Sequence, residues 1–536
     1  MRDLRPTYRR SVESSANLDE MCRFLIIFKI FANLFFFVSC YRILGIPSLG
    51  TSHAKVLAKI GEKLSSRGHT FILVVASWEA KRFNKQQNLV LYTYETPFKS
   101  SDLEAVMQNE VEGRFTVTQN INLWKISCKF LLESVDLKQL RKIDLILSDI
   151  GWLCPPIFAD MVKVPRVDIS PGGFVDPFIS YVHNLPNSVA YIPQMSTKFP
   201  KKSSLLFRAL NLLLYAIGVA NFKFVLLPEF EKLWQQYAAR QSYFTDIDTV
   251  FKNCGLLIIP VDFVIDYPRT LAPHVKVTGP ILPAPPEALP KGIEDFIFHQ
   301  DERSEKTQKK NVILVSFGTV ISKFKPEFVK LIASALASID AKFIWKHKGS
   351  DSAHFGENIM TIDWMPQNDL LGHPLVKAFI THGGLNSIYE SCYHGVPMVV
   401  IPLFADQPGN AVKVQENGAG IMLDLNTLNS FVLAQAINRV LNERKFKENT
   451  LRISKIIQSR NPVPNVEAAN WVEYMLQTNA TLHLRSEADN LYFFEIYLVD
   501  VIALFFLLVV FGVVFFTKFC GIFFYKYYKK KKQKRE

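Results

Sequence analysis

Apolar strand patterns and amphipathic helices alternate along most of this chain. The run YRILGIP, Tyr41–Pro47, reads as a buried strand, and Ser52 stands where it would cap a helix. Val56, Leu57, Ile60 and Leu64 then recur at helical spacing, Gly68 ends the helix, and TFILVV follows as a second strand. This β-α-β unit opens a doubly wound sheet. IDLILSDI, Ile143–Ile150, and VPRVDIS, Val164–Ser170, are further strands with polar ends. The pattern restarts at NVILVSFGT, a strand followed by the helix KPEFVKLIASALASI and the strand AKFIWKH. IMTIDWMP, VKAFITHGG and VPMVVIPLFAD each begin as strands, and NSIYESCYHG and TLNSFVLAQAINRVLNERK are helical. Near-continuous apolar strands alternating with helices belong to parallel sheets covered on both faces. The prediction is α/β, with two Rossmann-like domains facing across a cleft. They occupy 41–282 and 312–477, joined by a linker at 283–311 where proline-rich and charged stretches meet.

Three segments break the pattern. Met21–Cys40 has a basic residue, a short apolar run interrupted by Lys29, and small residues at its end; residues 1–40 therefore read as an extension plus a secretory signal peptide, with Met1 and Met21 both available as starts. Ser203–Leu227 is mostly apolar but holds Arg208, Asn211 and Asn221, so it reads as helices lining a greasy pocket or facing a membrane, and not as a span. Val501–Phe516 carries no charge, and 498–524 is long enough to cross a bilayer, which takes about 20 apolar residues. A juxtamembrane segment, 478–497, precedes it and a basic tail, 525–536, follows.

Charge sharpens this topology. The formal net charge is +13, and the residues from Lys518 onward contribute +7 of it, so the basicity marks a cytosolic flank and not a nucleic-acid surface. With a signal peptide in front, the body is expected on the lumenal side, as a single-pass type I protein. The final KQKRE matches a dilysine retrieval pattern, which points to the endoplasmic reticulum membrane. The sequon Asn479-Ala480-Thr481 falls on the lumenal side as a glycosylation site. Seven cysteines are scattered without a CxxC pair, which reads as neither a disulfide framework nor a zinc site.

The chemistry concentrates between Phe379 and Ala411, FITHGGLNSIYESCYHGVPMVVIPLFADQPGNA. In open α/β sheets, ligands bind beyond the carboxyl ends of the strands. THGGLNS lies there, between a strand and a helix. Glycines admit a ligand close to the backbone. Free N–H groups at the helix start favour an anion, most often phosphate. Glu390, one turn along, suits ribose hydroxyls, and Asp406 and Gln407 at the next strand end suit sugar hydroxyls.

WMPQNDLLGHPLVKAFITHGGLNSIYESCYHGVPMVVIPLFADQPGNA, Trp364–Ala411, closely resembles the signature of the UDP-glycosyltransferases, in particular the animal membrane-bound, UDP-glucuronosyltransferase-like branch. The resemblance extends to the opening β-α-β unit, SDIGWLCPP, SPGGF, the linker and the C-terminal anchor. It implies a GT-B type fold and a role for each matching residue. Trp364 and Gln367 would meet the uracil. His382, Gly384, Asn386 and Ser387, with Ser316 of SFGT, would hold the diphosphate. Glu390 would bind the ribose, and Asp406 and Gln407 the sugar.

Transfer to a hydroxyl needs a base, and histidine is the natural one near neutral pH. His53 follows the first strand, and in the resembling family a His at this place is the base. Asp149, at the end of LILSDIG, matches the aspartate that orients it. Displacement at the anomeric carbon would invert configuration. Asp246-Ile247-Asp248 matches the D-x-D of metal-dependent transferases but lies away from the strand ends, so no metal and no cofactor are expected. The implied function is an inverting transfer of glucuronosyl or glucosyl from a UDP-sugar to a small lipophilic acceptor. The expected partners are the UDP-sugar donor, that acceptor and the membrane, with a homo-oligomer left open and nucleic acid excluded. The alternatives are a lipid glycosyltransferase, a non-catalytic UDP-sugar or hydrophobic-ligand binding protein, and a membrane scaffold. No basic residue is singled out by spacing to recognise a glucuronate carboxylate.

Overall fold

The computed structural model describes residues 40–535 except 84–87, 112–116, 135–141, 187, 196, 200–203, 299–309, 320–323, 349–354 and 479–481. The signal peptide and Asn479 thus lie outside the described residues.

Two all-parallel sheets form the body. The first is ordered β3-β2-β1-β4-β5-β6-β7 and comprises β1 (Arg42–Ile46), β2 (Thr70–Ala76), β3 (Val90–Tyr94), β4 (Leu145–Asp149), β5 (Arg166–Ile169), β6 (Leu256–Ile259) and β7 (Val275–Val277). The second is ordered β10-β9-β8-β11-β12-β13 and comprises β8 (Val312–Ser316), β9 (Lys342–Lys346), β10 (Ile359–Ile362), β11 (Val376–Thr381), β12 (Met398–Val400) and β13 (Gly420–Met422). In each sheet the winding reverses between two adjacent strands, β1 and β4 in the first and β8 and β11 in the second. At such a switch point the connections leave in opposite directions, and a crevice opens beyond the strand ends.

The helices used below run in chain order: α1 (Thr51–Ser65), α2 (Val117–Ser134), α3 (Cys154–Val162), α4 (Leu205–Asn221), α5 (Leu227–Tyr237), α6 (Leu385–Tyr393), α7 (Gln407–Glu416), α8 (Pro464–Thr478) and α9 (Val499–Gln533). The switch-point strands β1 and β8 are buried on both faces, as their unbroken apolar runs require. α1 follows β1, buries Ala54, Leu57, Ile60 and Leu64, and turns its polar side outward.

The two sheets share one continuous apolar core, in which Leu257, Ile259 and Val261 meet Val312, Phe379, Ile388 and Tyr389. Polar fastenings reinforce it. The Tyr389 hydroxyl accepts from the Asp262 backbone N–H at 2.8 Å and donates to the Asp262 carbonyl at 3.2 Å. Arg460 Nε donates to Asp262 at 2.6 Å, and Lys413 pairs with Asp266 at 3.0 Å. α8, within the 312–477 stretch, packs on α1 of the first sheet through Ala468, Ala469 and Val472, with Arg67 and Glu473 paired at 2.7 Å. The chain therefore crosses the cleft twice.

Two features differ from the sequence reading. Cys128 and Cys154 are disulfide-bonded, joining α2 to α3. Linear spacing does not report that the two helices are neighbours, so the scattered cysteines gave no sign of this bridge. The C-terminal helix is also longer than the span read from hydropathy, because it continues through the basic tail to Gln533. Its apolar part is exposed along its whole length, as a candidate membrane span must be.

Candidate active site at the two switch points

Both sequence-predicted constellations lie at the switch points. β1 and β4 are hydrogen-bonded neighbours, with Ile46 opposite Ser148. The loop after β1 therefore meets the end of β4. There His53 Nδ1 lies 2.7 Å from Asp149 Oδ2. Asp149 is fully buried and takes two backbone N–H groups besides, from Ser48 at 2.8 Å and Gly151 at 2.8 Å. The Ser48 hydroxyl is also 3.0 Å from His53 Nδ1. A carboxylate with this many donors stays ionised: burial works against the charge, but His53 and the two N–H groups overcome it and lower the Asp149 pKa. Burial likewise opposes a charge on His53, but Asp149 outweighs it and raises the imidazole pKa, with Asp406 and Glu79 adding to the effect. Nδ1–H pointing at Asp149 leaves Nε2 as the basic nitrogen.

The opposite rim belongs to the second sheet. β8 and β11 pair in register, Ser316 opposite Thr381, so SFGT and THGG lie side by side. The His382 ring is slotted between two glycines. A Cβ on Gly318 would stand 2.7 Å from its Nε2, and one on Gly384 2.6 Å. Gly318 also has φ +90°, a conformation that side chains resist. His382 hydrogen-bonds the Ser316 backbone, and burial together with the Lys346 cation brings its pKa down to about 4. It is a neutral imidazole at physiological pH, with one N–H to donate and one nitrogen that accepts. Asn386 and Ser387 lie in the first turn of α6, where unpaired backbone N–H groups gather.

Gln367 ties the next part together. Its amide donates to Glu390 Oε2 at 2.5 Å and to Ser387 Oγ at 3.0 Å. Burial raises the Glu390 pKa, with Gln367 and Lys55 opposing. Trp364 is 51 % exposed, with the Lys55 ammonium 4.4 Å and the Lys346 ammonium 5.4 Å from its ring centre. Asp406 follows Ala405, which has φ +54°, a strained conformation outside glycine. Its carboxylate accepts from Asn410 at 2.6 Å, and burial raises its pKa. Gln407 is more constrained than its sequence role suggests. Its Oε1 already accepts from the Leu403 and Phe404 N–H groups at 2.9 and 3.1 Å, so only its amide NH2 is left for a ligand.

The rims face each other. Asp406 acts on His53, and Lys55 of α1 acts on Glu390 across the gap. A cavity of about 310 Å³ opens between them, lined by Arg82, Phe317, Gly318, Lys346 and Trp364. Lys346 lies in a cluster of cations. Burial first, and then Lys55, Arg82 and Lys348, pushes its pKa down to about 8. Sequence reasoning missed Ser48, Lys55, Glu79, Arg82 and Lys346. Lys346 ends β9 and Arg82 follows β2, so extending the strand-end rule to the strands flanking each switch would have found both.

Asp246 and Asp248, the D-x-D match, are engaged elsewhere. Asp246 caps a short helix through the Thr249 N–H, and Asp248 takes the Tyr181 hydroxyl at 2.8 Å. Asp168, His183 and Cys254 bring ligand-type atoms within 4.8 Å of one another. However, the buried Arg166 guanidinium lies 2.8 Å from Asp168 and, against the cost of burial, brings its pKa down to about 2. The positive charge a metal would supply is already there.

Two facing parallel sheets, with a histidine–aspartate pair on one rim and a glycine-flanked helix start on the other, have the architecture of a GT-B glycosyltransferase. Solved structures share this fold. Spinosyn forosaminyltransferase SpnP superposes with a TM-score of 0.57 at 17 % identity, over 82 % of this chain and 100 % of that one. The calicheamicin glycosyltransferase CalG4 gives 0.57 at 19 %, over 82 % and 99 %. Sequence narrows the class: a model of the UDP-glucoronosyl and UDP-glucosyl transferase family matches residues 42–535, and the chain belongs to that family. UDP-glucuronosyltransferase 2B33 of Macaca mulatta is 31 % identical over 530 residues, 92 % of this chain and 95 % of the relative. UDP-glucuronosyltransferase 2B7 of Homo sapiens is 30 % identical over 517 residues, 90 % and 93 %. The 2-hydroxyacylsphingosine 1-beta-galactosyltransferase of Rattus norvegicus is 28 % identical over 468 residues, 85 % and 83 %. The protein is a UDP-sugar glycosyltransferase.

Proposed function

We propose that this enzyme transfers glucuronosyl or glucosyl from UDP to a hydroxyl of small lipophilic acceptors, with inversion, on the lumenal side of the endoplasmic reticulum membrane. The observation that carries this reading is the 2.7 Å His53–Asp149 pair on the rim opposite the His382 and Glu390 cluster. In the proposed step, His53 Nε2 takes the acceptor hydroxyl proton as its oxygen attacks the anomeric carbon, and the bond from that carbon to the UDP oxygen breaks. Asp149 steadies the imidazolium that forms. Negative charge grows on the departing diphosphate, and neutral His382 and the N–H groups of the α6 start are placed to stabilise it. Ser316, Asn386 and Ser387 complete that cradle. Trp364 and Gln367 take the uracil, Glu390 the ribose, and Asp406 with the Gln407 amide the sugar hydroxyls.

Residues 41–282 bind the acceptor and 312–477 the donor, with α8 returning to brace the first domain. α9 spans the membrane with its basic end in the cytosol. A lipid hydroxyl belongs among the acceptors to be tested, because one relative is named for an acylsphingosine substrate.

The test uses microsomes from cells expressing the chain, supplied with radiolabelled UDP-glucose or UDP-glucuronate and a panel of phenols and acylsphingosines. A conjugate made with one donor and lost in His53→Ala supports the reading and names the sugar. Conjugates that persist in His53→Ala overturn the base assignment. Measurable UDP binding with no conjugate from any pair overturns the proposed donors and acceptors.

A further inference from the structure

Lys55 lies on α1, two residues beyond His53, and its ammonium reaches across to the second domain. It stands 4.4 Å from the centre of the Trp364 ring. Burial lowers its pKa, the Glu390 carboxylate opposes that, and Arg82 adds to it. No hydrogen bond or salt bridge holds this ammonium among the described residues. Lys346 approaches the same ring from the second domain, at 5.4 Å, while its Nζ donates to the Gly318 carbonyl at 2.7 Å. Arg82 of the first domain lines the cavity beside them and donates to the Thr51 hydroxyl at the start of α1. Lys348 lines the cavity as well, and among the described residues Asp363 is the only carboxylate on its wall.

Cations gathered in this way repel one another. Burial first, and then Lys55, Arg82 and Lys348, brings the Lys346 pKa down to about 8. An anion among them would relieve that repulsion, and the cavity of about 310 Å³ gives it room. The second rim alone lacks the charge to match a diphosphate. His382 is neutral, and the N–H groups at the start of α6 offer partial charge only. Full positive charge comes from Lys346, which acts directly on His382, and from Lys55 and Arg82, which act on Lys346. Two of these three belong to the first domain. The Lys55 ammonium also stands over the ring on which the uracil would stack, at the end of a long, flexible side chain.

We propose that Lys55, backed by Arg82, is a donor clamp supplied by the first domain. The uracil takes the Trp364 ring, the Lys55 ammonium swings off it, and its N–H groups bond the diphosphate oxygens. The clamp rests on the donor placement proposed above and adds first-domain residues to a site otherwise built on 312–477. Its anion is the diphosphate and not a uronate carboxylate. Lys55 faces Trp364 and Glu390, the uracil and ribose residues, whereas Asp406 marks the sugar end. The donor is then held from both domains. Because Lys55 and His53 share the start of α1, donor docking also brings the base toward the anomeric carbon.

The test titrates UDP, UDP-glucuronate and uridine calorimetrically into the full chain in nanodiscs, with uridine read by displacement of UDP. Wild type is compared with Lys55→Met, which keeps the apolar stem and removes the charge, and with Lys55→Arg, which keeps the charge. In Lys55→Met, UDP affinity should fall about 10-fold, as for loss of a hydrogen bond to a charged group, while uridine affinity does not fall. Lys55→Arg should restore most of the UDP affinity. Added salt should weaken UDP binding more steeply in the wild type than in Lys55→Met. Undiminished UDP affinity in Lys55→Met overturns the clamp. Equal losses for UDP and uridine overturn it too, and make Lys55 a support for the Trp364 platform. A loss confined to UDP-glucuronate overturns the diphosphate as its anion in favour of the uronate carboxylate. Glu390→Ala is titrated alongside to separate the two readings. Intact UDP affinity there overturns the donor placement itself; weakened affinity there with none lost in Lys55→Met overturns the clamp alone.

Discussion

The two rims of the cleft are built on the same plan and carry opposite chemistry. Each stands at the switch point of a parallel sheet, on a loop leading into a helix. On the first, a buried carboxylate raises the pKa of a histidine. On the second, burial and then a nearby lysine lower one, to about 4. On the proposed function the same side chain is a base at 53 and a neutral donor at 382. The fold supplies the position, and burial with the nearest charge sets which way each imidazole titrates. Asp149 at 2.7 Å makes the first, and Lys346 contributes to the second.

The sharpest way to break the contrast is to remove the charge that sets it. Asp149→Asn should lower kcat by roughly 10³-fold or more, because the amide no longer fixes the tautomer or steadies the imidazolium. It should also move the pH profile. A base must be neutral to act, and His53 has a raised pKa, so in the wild type the acidic limb of kcat/KM should lie above the ordinary imidazole value. Without Asp149, burial dominates and the limb moves to lower pH. A pH–rate series on both proteins checks this, and an unmoved limb would remove His53 from the titration.

Glu390→Ala attacks the other rim. It removes the partner of the Gln367 amide and the ribose acceptor of the proposed complex. UDP affinity should fall by about 10-fold to 100-fold, as for loss of a hydrogen bond to a charged group, with no change in the pH limb. Calorimetric UDP titration gives the affinity, and equal binding would end the ribose role.

Gly384→Ala is a subtler change on the same rim. The added methyl would meet the His382 ring, which has to turn aside. The donor KM should rise several-fold, while a bulkier acceptor series keeps its rank order. Initial rates at varied donor concentration test this, and an unchanged KM would show that His382 is not held by that slot.

The two rims were also unequally legible in sequence. The second could be read almost whole, because its residues crowd into one segment, Trp364–Ala411, whose glycines and polar groups sit directly after apolar strands. The first was read as two distant residues. That Ser48 would hold both His53 and Asp149 follows only from the pairing of β1 with β4. Weak strands were missed for physical reasons. β7 is three residues long, and β3 is an edge strand exposed enough to blur its pattern. The Cys128–Cys154 bridge and the Asp262 fastenings join segments far apart in the chain, and local periodicity is blind to such contacts. The apolar stretch around α4 left a pocket lining and a membrane face both open, because hydropathy alone does not say which side of a helix is already occupied.

The smallest expected effect concerns what holds the rims at their distance. Tyr389 lies on α6, the helix whose start would form the proposed anion cradle, and its hydroxyl both donates to and accepts from the Asp262 backbone of the first domain. Tyr389→Phe keeps the ring in the shared core and deletes only that link. The Asp262 N–H loses its partner, while its carbonyl keeps the Ile265 and Asp266 N–H groups, so stability should fall by about 1–3 kcal/mol, the cost of leaving a buried polar group unpaired. UDP affinity should hardly change, because the cradle stays on its own sheet. The kcat should fall more than UDP binding does, because turnover alone needs His53 and the donor site at a fixed separation. Denaturant unfolding, UDP titration and kcat on one preparation separate these effects. Equal losses in UDP affinity and kcat would mean that Tyr389 shapes the second rim itself and does not set the distance between the two.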